Sequence, residues 1–494
     1  MLYNSTIKSI SLNFLRFLLS FLSIYNAYNA SSIYNLPSFP MPTITSTNPY
    51  TGEINGTFET ITDAELTSVI ERAHVAYQSR KNVPNAEKKA LFLRMADLLD
   101  ARAHEYGLLE TREMGTLLTA TTAGKKATAQ LIRWNANNVE TVLGNEPFSS
   151  EWMNGHIQYD PIGVIYWIAP WNFPFNQLLR AAVPNILAGN TVIYKHASNV
   201  PLCALAIEQL FKDAWFPEGV YTNVLITSWQ SELVIAHPAV QWVNLTWSET
   251  AWSAIGALAG KYLKRSVLEL GGNDPFIVLD HSDTDALVAL ATSCRINTAG
   301  QRCNSSKRFV VLEQYYDTFV EKLWHSFAAL PVWDPLDPRT ALGPLSTKKL
   351  MHDIHDQVTR SVAQWARLIT GWVIIDESKT LYSATVLADI VPGMTAWEEE
   401  IFGPVASICK AKNVEEAIAL ANLNDFWLSG VVTWDDIAEC KRVAAQIEWG
   451  MMFINQSAWS KASLPFWWVK KSGYGKENGA DGIKSFTNRK VVIY

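Results

Sequence analysis

Glu269 stands directly before a Gly-Gly pair in VLELGGND, and Cys303 follows 34 residues later inside NTAGQRC. A thiol and a carboxylate are the two groups needed to make and then hydrolyse a thioester. The thiolate adds to a carbonyl carbon, and the carboxylate takes a proton from the water that cleaves the acyl–sulfur bond. Each residue also has a plainer reading by itself, Cys303 as a small buried hydrophobe and Glu269 as a solvated charge. The other cysteines (Cys203, Cys294, Cys409 and Cys440) make an odd, widely spaced set of five without a CxxC pair or a Cys/His cluster. Neither a disulfide framework nor a metal site is expected, and a reducing cytoplasm suits one reactive thiol with inert companions.

A chain of 494 residues is too long for one core and implies two or three domains. Its 48% hydrophobic and 18% charged content describes a globular protein. The net charge of −6 is spread without a basic run, so nucleic acid is not an expected partner. Residues 1–40, with LNFLRFLLSFLSIYNAYNA, read as a leader or as an upstream extension before a true start at Met41. That apolar run falls short of the ~20 residues a membrane span needs. From Ala64 to about Ser150 apolar residues recur at helical spacing, with Asp63 and Asn85 as candidate N-caps. From Pro161 short β-branched runs (VIYWIAP, NTVIYK, VNLT, FIVL, FVVL) alternate with helices, which predicts parallel α/β units. No GxGxxG follows any of these strands, so a bound nucleotide needs another phosphate-binding device.

In order along the chain, PIGVIYWIAPWNFPF, AGNTVIYKHASNVP, LELGGNDPFIVL, GQRC, EEEIFGPV and LPFWWVKKSGYG resemble the aldehyde dehydrogenase superfamily from about residue 41 to the C-terminus. The KHASNVP and NDPFIVL variants are most similar to its bacterial succinate-semialdehyde branch. The resemblance implies an α/β fold with a Rossmann-type cofactor domain over 41–267, which includes an oligomerisation hairpin near 145–160. A catalytic domain over 268–472 and a C-terminal oligomerisation strand over 473–494 complete it. It implies that Cys303 is the nucleophile, that Asn172 donates to the oxyanion alongside the Cys303 N–H, and that Glu269 activates the hydrolytic water. For NAD or NADP it implies Lys195 at the adenosine ribose or its phosphate, and Ser248 at a helix N-terminus facing the pyrophosphate. Glu400 falls at the nicotinamide ribose and Phe402 behind the ring, with Trp171 and Trp247 also in the cradle. NAD-preferring members often carry glutamate three residues after the strand lysine. Ser198 stands there, without a charge to repel a 2′-phosphate.

Arg180, eight residues after Asn172, matches an arginine that binds the distal carboxylate of succinate semialdehyde. The second such arginine of some members is Asn297 here, and Arg295 is a candidate substitute. A dehydrogenase for an uncharged aldehyde and an inactive homologue are the alternatives. A homodimer or homotetramer is expected, with a short terminal strand free to pair across subunits.

One departure repeats. Trp215, Trp242, Trp247, Trp252, Trp333, Trp372, Trp427, Trp467 and Trp468 stand where the family pattern has glycine, and Trp167, Trp229, Trp365 and Trp449 join them. Glycine at such places supplies positive φ or close backbone approach. Restoring all of them brings glycine to about 8% of the chain, near the ordinary ~7%. An organism that reads UGA as glycine, translated with a table that reads it as tryptophan, produces this pattern. The chain as written is then expected to fold poorly or to bind its cofactor weakly. UGG codons at Trp247, Trp467 and Trp468 would end the idea.

Overall fold

Five short runs between Val164 and Glu269 pair side by side as parallel strands in a computed structural model, which describes residues 41–246, 249–280 and 282–494. Their order across the sheet is Arg265–Glu269, Val240–Thr246, Val164–Ile168, Thr191–Lys195 and Tyr221–Asn223, with Gly473–Tyr474 added antiparallel beside the first. Val164–Ile168 is buried at every position, as a parallel strand covered on both faces must be. The chain runs outward from that strand in one direction and then returns to its other side. The strand order therefore reverses between Val164–Ile168 and Val240–Thr246, and a crevice opens beyond their carboxyl ends.

A second, seven-stranded sheet runs Arg367–Thr370, Thr385–Ala388, Val405–Ala411, Arg308–Leu312, Pro275–Val278, Ser429–Thr433, Met451–Ile454. It is parallel except for its first pair. A third sheet joins the hairpin Glu146–Ser149 and Asn154–Pro161 to the terminal strand Thr487–Ile493, antiparallel. The terminal strand thus pairs within its own chain. The residues from Thr43 to Tyr494 form one unit by their contacts, and the strand Arg265–Glu269 spans the expected boundary at 267. The reading of residues 1–40 falls outside the described residues.

The first N-terminal helix is capped one residue earlier than expected. Thr62 accepts from the Glu65 N–H at 3.2 Å and the Glu65 carboxylate accepts from the Thr62 N–H at 2.8 Å. The polar side chain that satisfies the first turn is therefore Thr62, and Asp63 is the first helical residue. At Asn85 the preceding Pro84 occupies the cap position without a side-chain bond.

The suspect tryptophans fit poorly in two independent ways. Trp215, Trp365 and Trp372 have φ of +67°, +77° and +61°, the left-handed region that a side chain on an L-residue disfavours. Trp167, Trp242 and Trp427 are buried with indole N–H groups that find no protein acceptor. Trp449 and Trp468, also buried, do find acceptors in the carbonyls of Ala421 (3.2 Å) and Leu268, as does Trp397, where tryptophan is not in question, in the Leu423 carbonyl at 3.1 Å. Trp247 lies outside the described residues. Trp215→Gly and Trp365→Gly, at largely exposed sites, are each expected to stabilise the chain by ~1 kcal/mol, read as a higher Tm by differential scanning fluorimetry. An unchanged or lower Tm in both would count against a glycine requirement.

Candidate active site

Cys303 lies between the short 3-10 segment Asn297–Gly300 and the strand Arg308–Leu312. Thr298 and Ala299 take φ of +57° and +53°, so the chain turns sharply just before it. Gln301 stitches that turn, donating through Nε2 to the Thr298 carbonyl at 3.0 Å and accepting from the Ser346 N–H at 2.9 Å. Lys307 pins the other side. Its buried ammonium donates to the carbonyls of Arg302 (2.9 Å) and Cys303, and pairs with Glu400 Oε1 at 2.9 Å.

Glu269 closes its strand fully buried, and Cys303 Sγ donates to its Oε1 at 3.5 Å. The turn that follows is close. A Cβ at Gly272 would meet the Cys303 carbonyl at 2.7 Å, so glycine lets the segments that carry Glu269 and Cys303 touch. Asn172 precedes the helix Pro174–Ala188, and its amide donates to the Gln301 carbonyl at 3.0 Å, which holds the side chain beside the nucleophile turn.

Arg180 sits on that same helix at 4% exposure. Its Nη2 donates to Glu269 Oε2 and to Gln177 Oε1 (2.7 Å). Its Nε lies 2.5 Å from Glu477 Oε2 as an ion pair without hydrogen-bond alignment, and its guanidinium stacks 4.7 Å from the Phe466 ring centre. Arg180 does line the cavity of about 470 Å³ that holds Cys303, but it does so with its charge already engaged by two carboxylates. The arginine expected to bind the distal carboxylate is thus also the counter-ion of Glu269 and Glu477. Arg295 is a plainer correction. It is fully buried and donates to the carbonyls of Val405 (2.6 Å), Ile401 (2.7 Å) and Gly403 and to Ser305 Oγ (2.9 Å), so it braces loops and does not line that cavity.

Burial pushes the Cys303 thiol well above its usual range and the neighbouring Glu269 charge adds to this, while Lys307 and Arg180 oppose it. Burial also lifts Glu477 to about 7, against the pull of Arg180.

A second cavity, of about 290 Å³, also reaches Cys303 and is lined by Trp171, Asn172, Thr246, Gly271, Glu400 and Phe402. Trp171 and Phe402 meet edge to face, 5.8 Å apart. Glu400 accepts from the Gly272 N–H at 3.2 Å. Lys195 ends the strand Thr191–Lys195 half-buried, with no carboxylate partner among the described residues, and Ser198 is exposed three residues later. An unmatched ammonium at the crevice and a carboxylate at the inner cavity suit a dinucleotide, with phosphate or ribose at one end and ribose hydroxyls at the other. Ser248 and Trp247 lie outside the described residues. Among those described, no group of three or more His, Cys, Asp or Glu side chains could hold a metal ion.

Four residues escaped the sequence reading. Lys307 and Arg302 flank the nucleophile and carry charge, so proximity was a usable signal. Gln177 and Glu477 reach the site only through folding.

Two outcomes follow from these charges. Because the thiol is held high, iodoacetamide alkylation of Cys303 in the free protein should accelerate continuously from about pH 6 to about pH 9. A plateau below neutrality would contradict that. Arg180→Met, which strips the counter-ion from Glu269, should slow turnover of charged and uncharged aldehydes alike by roughly tenfold or more in steady-state kinetics. A loss confined to carboxylated aldehydes would restore Arg180 as a substrate anchor.

The profile of the aldehyde dehydrogenase family matches residues 38–492. The chain is 41% identical to a succinate-semialdehyde dehydrogenase [NADP(+)] of Deinococcus radiodurans over 445 residues, 90% of this chain and 93% of that one. It is 39% identical to the corresponding Mycobacterium tuberculosis protein over 452 residues, 91% of this chain and 99% of that one. Among solved structures, succinic semialdehyde dehydrogenase from Streptococcus pyogenes in complex with NADP+ superposes with a TM-score of 0.89 at 37% identity, covering 91% of this chain and 99% of that one. Gox0499, studied for cofactor and substrate selection, also gives 0.89 at 38% identity, over 92% and 99% of the two chains.

Proposed function

The chain belongs to the aldehyde dehydrogenase family, and on that premise we propose that it oxidises succinate semialdehyde to succinate with NADP+. The observation that carries this reading is the Cys303 thiol 3.5 Å from a buried carboxylate, between a cavity rich in polar side chains and the crevice of a Rossmann-type sheet. Cys303, as thiolate, adds to the aldehyde carbon. The oxyanion is received by an Asn172 amide N–H and the Cys303 backbone N–H. Lys195 and Ser198 would hold the adenosine ribose phosphate of the cofactor, and Glu400 the nicotinamide ribose against Phe402 and Trp171. When bound there, the nicotinamide supplies the acceptor for the aldehyde hydride. Cys303 is then left acylated, and Glu269 draws a proton from water so that the hydroxide attacks the thioester and releases the acid. Lys307 keeps the nucleophile turn and Glu400 in register through both halves.

Serine at 198 supports NADP over NAD, and NAD use is the competing cofactor reading. The burial of Arg180 between two carboxylates supports the competing substrate reading, an uncharged aldehyde. Following NADPH release with succinate semialdehyde, glutarate semialdehyde and simple aliphatic aldehydes separates these readings. The four-carbon semialdehyde should give the highest kcat/KM, and Cys303→Ala should abolish turnover. Equal activity on all aldehydes, or activity that survives Cys303→Ala, would reject the assignment. Ser198→Glu should lower NADP+ use relative to NAD+ by roughly tenfold through repulsion of the 2′-phosphate. The outer edge of the terminal strand, with Val491 and Ile493 more than half exposed, supports a homodimer or homotetramer, to be measured by light scattering. No helix among the described residues is long and apolar enough to cross a membrane, and the cysteine usage supports the cytoplasm.

A further inference from the structure

Among the described residues three lysines are buried, Lys88, Lys125 and Lys307, each at most 7% exposed. Two of them have a carboxylate at hand. Lys125 pairs with Glu110, and Lys307 pairs with Glu400 at 2.9 Å. Lys88 is the exception, because among the described residues its ammonium makes neither an ion pair nor a hydrogen bond. It lies near the start of the helix Asn85–Ala101 and lines a narrow crevice of about 10 Å³, room for roughly one small molecule. Leu91, Ile186, Phe216 and Val220 make the wall of that crevice largely apolar. Arg80 is the one other charged side chain on it, and is itself paired with Glu87 at 3.0 Å. The carbonyls at the adjoining end of the helix Pro174–Ala188 are already taken. Ile186 accepts from the Gly189 N–H and Asn185 from the Asn190 N–H, each at 3.0 Å.

We propose that Lys88 is a nucleophilic lysine that reacts with carbon dioxide to form a carbamate in this crevice. An ammonium taken out of water without an anion is costly, and the group answers by shedding its proton. Burial, helped by the Arg80 charge, lowers Lys88 from the ordinary lysine range to about 8. An apolar setting and a neighbouring cation are the two devices that activate an amine, and both are present. Near neutral pH a sizeable share of Lys88 is therefore uncharged, against well under ~1% of an exposed lysine. Width selects the electrophile. A crevice with room for roughly one small molecule excludes large acyl donors and admits a linear triatomic. In the step, the Nζ lone pair bonds to the carbon of carbon dioxide, one C–O π pair moves onto oxygen, and the nitrogen releases a proton to solvent. Nothing is oxidised or reduced. The product replaces an unpaired cation with an anion on the same wall as the Arg80 guanidinium. Helical side chains lean toward the N-terminus, and this helix begins after Pro84 without a side-chain cap, so a negative charge is favoured there over a positive one. The crevice adjoins the turn Gly189–Thr191, which joins the helix that carries Arg180 to the strand that ends in Lys195.

The test uses the full chain and two reagents of the same shape. Cyanate reacts through isocyanic acid, a linear triatomic like carbon dioxide, and carbamoylates neutral amines irreversibly. Peptide mass spectrometry then ranks the lysines by rate, and at about pH 7 Lys88 should react roughly tenfold faster than exposed lysines. Carbon dioxide in bicarbonate buffer is trapped by alkylating any carbamate with triethyloxonium. The ethyl carbamate should map to Lys88 and should require the bicarbonate. With carbon-13 bicarbonate the parent should show a carbamate resonance that Lys88→Arg, which keeps the charge without the nucleophile, lacks. Cyanate labelling of Lys88 no faster than that of exposed lysines would overturn the proposal at its first step. Fast cyanate labelling with no carbamate trapped at Lys88, or with carbamate spread evenly over surface lysines, would overturn it at the second. Should Lys88→Arg not fold, the peptide map of the parent decides the matter, because it needs no variant.

Discussion

Glu269 is a fully buried carboxylate that has to coexist with a thiol it destabilises as a thiolate. Much of the site can be understood as the answer to that conflict. A charge removed from water needs a partner close by, and Arg180 from the neighbouring helix supplies it. Arg180 in turn needs more than one anion to hold its fork, and Glu477, brought from near the C-terminus, is the second. The resulting cluster is built from three distant parts of the sequence. It places the Glu269 carboxylate beside the Cys303 thiol with its charge already paired.

Lys307 performs the matching task for the backbone. Its ammonium gathers the carbonyls of Arg302 and Cys303 and the carboxylate of Glu400, so the turn that carries Cys303 and the cavity lined by Glu400 and Phe402 share one donor. Gln301 and the left-handed pair Thr298–Ala299 shape the turn from the other side. Rigidity here is geometric in origin. The turn is tied to other elements through Gln301 and Ser346, Asn172 and Gln301, and Lys307 and Glu400, and glycine at 272 lets the Glu269 segment come within contact distance of Cys303.

The tryptophans run against this economy. An indole at φ near +70°, or buried with its N–H unsatisfied, opposes folding wherever it occurs. These residues are scattered through both large sheets and their connections, whereas the segment from Val267 to Cys303 contains none. The fold nonetheless brings one of them to that segment, since buried Trp468 donates through its indole N–H to the carbonyl of Leu268, directly before Glu269.

The order of motifs, the thiol–carboxylate spacing and the alternation of apolar runs with helices were legible in the sequence, because they are local. Strand periodicity and turn chemistry are written in neighbouring residues, and the strands at Val164–Ile168, Thr191–Lys195, Pro275–Val278 and Arg308–Leu312 were found where those patterns lie. A missed cap at Thr62 was a matter of one residue, decided by which side chain could reach Glu65. What sequence could not decide was the company each charge keeps. Arg180 and Arg295 had the right residue type for a substrate anchor, but the fold gives the first to Glu269 and Glu477 and surrounds the second with carbonyls. Arg302, unremarked beside the nucleophile, is left without a carboxylate among the described residues. Pairing in three dimensions depends on which elements pack together, and an ion pair between residues 89 or more positions apart leaves no trace in local spacing.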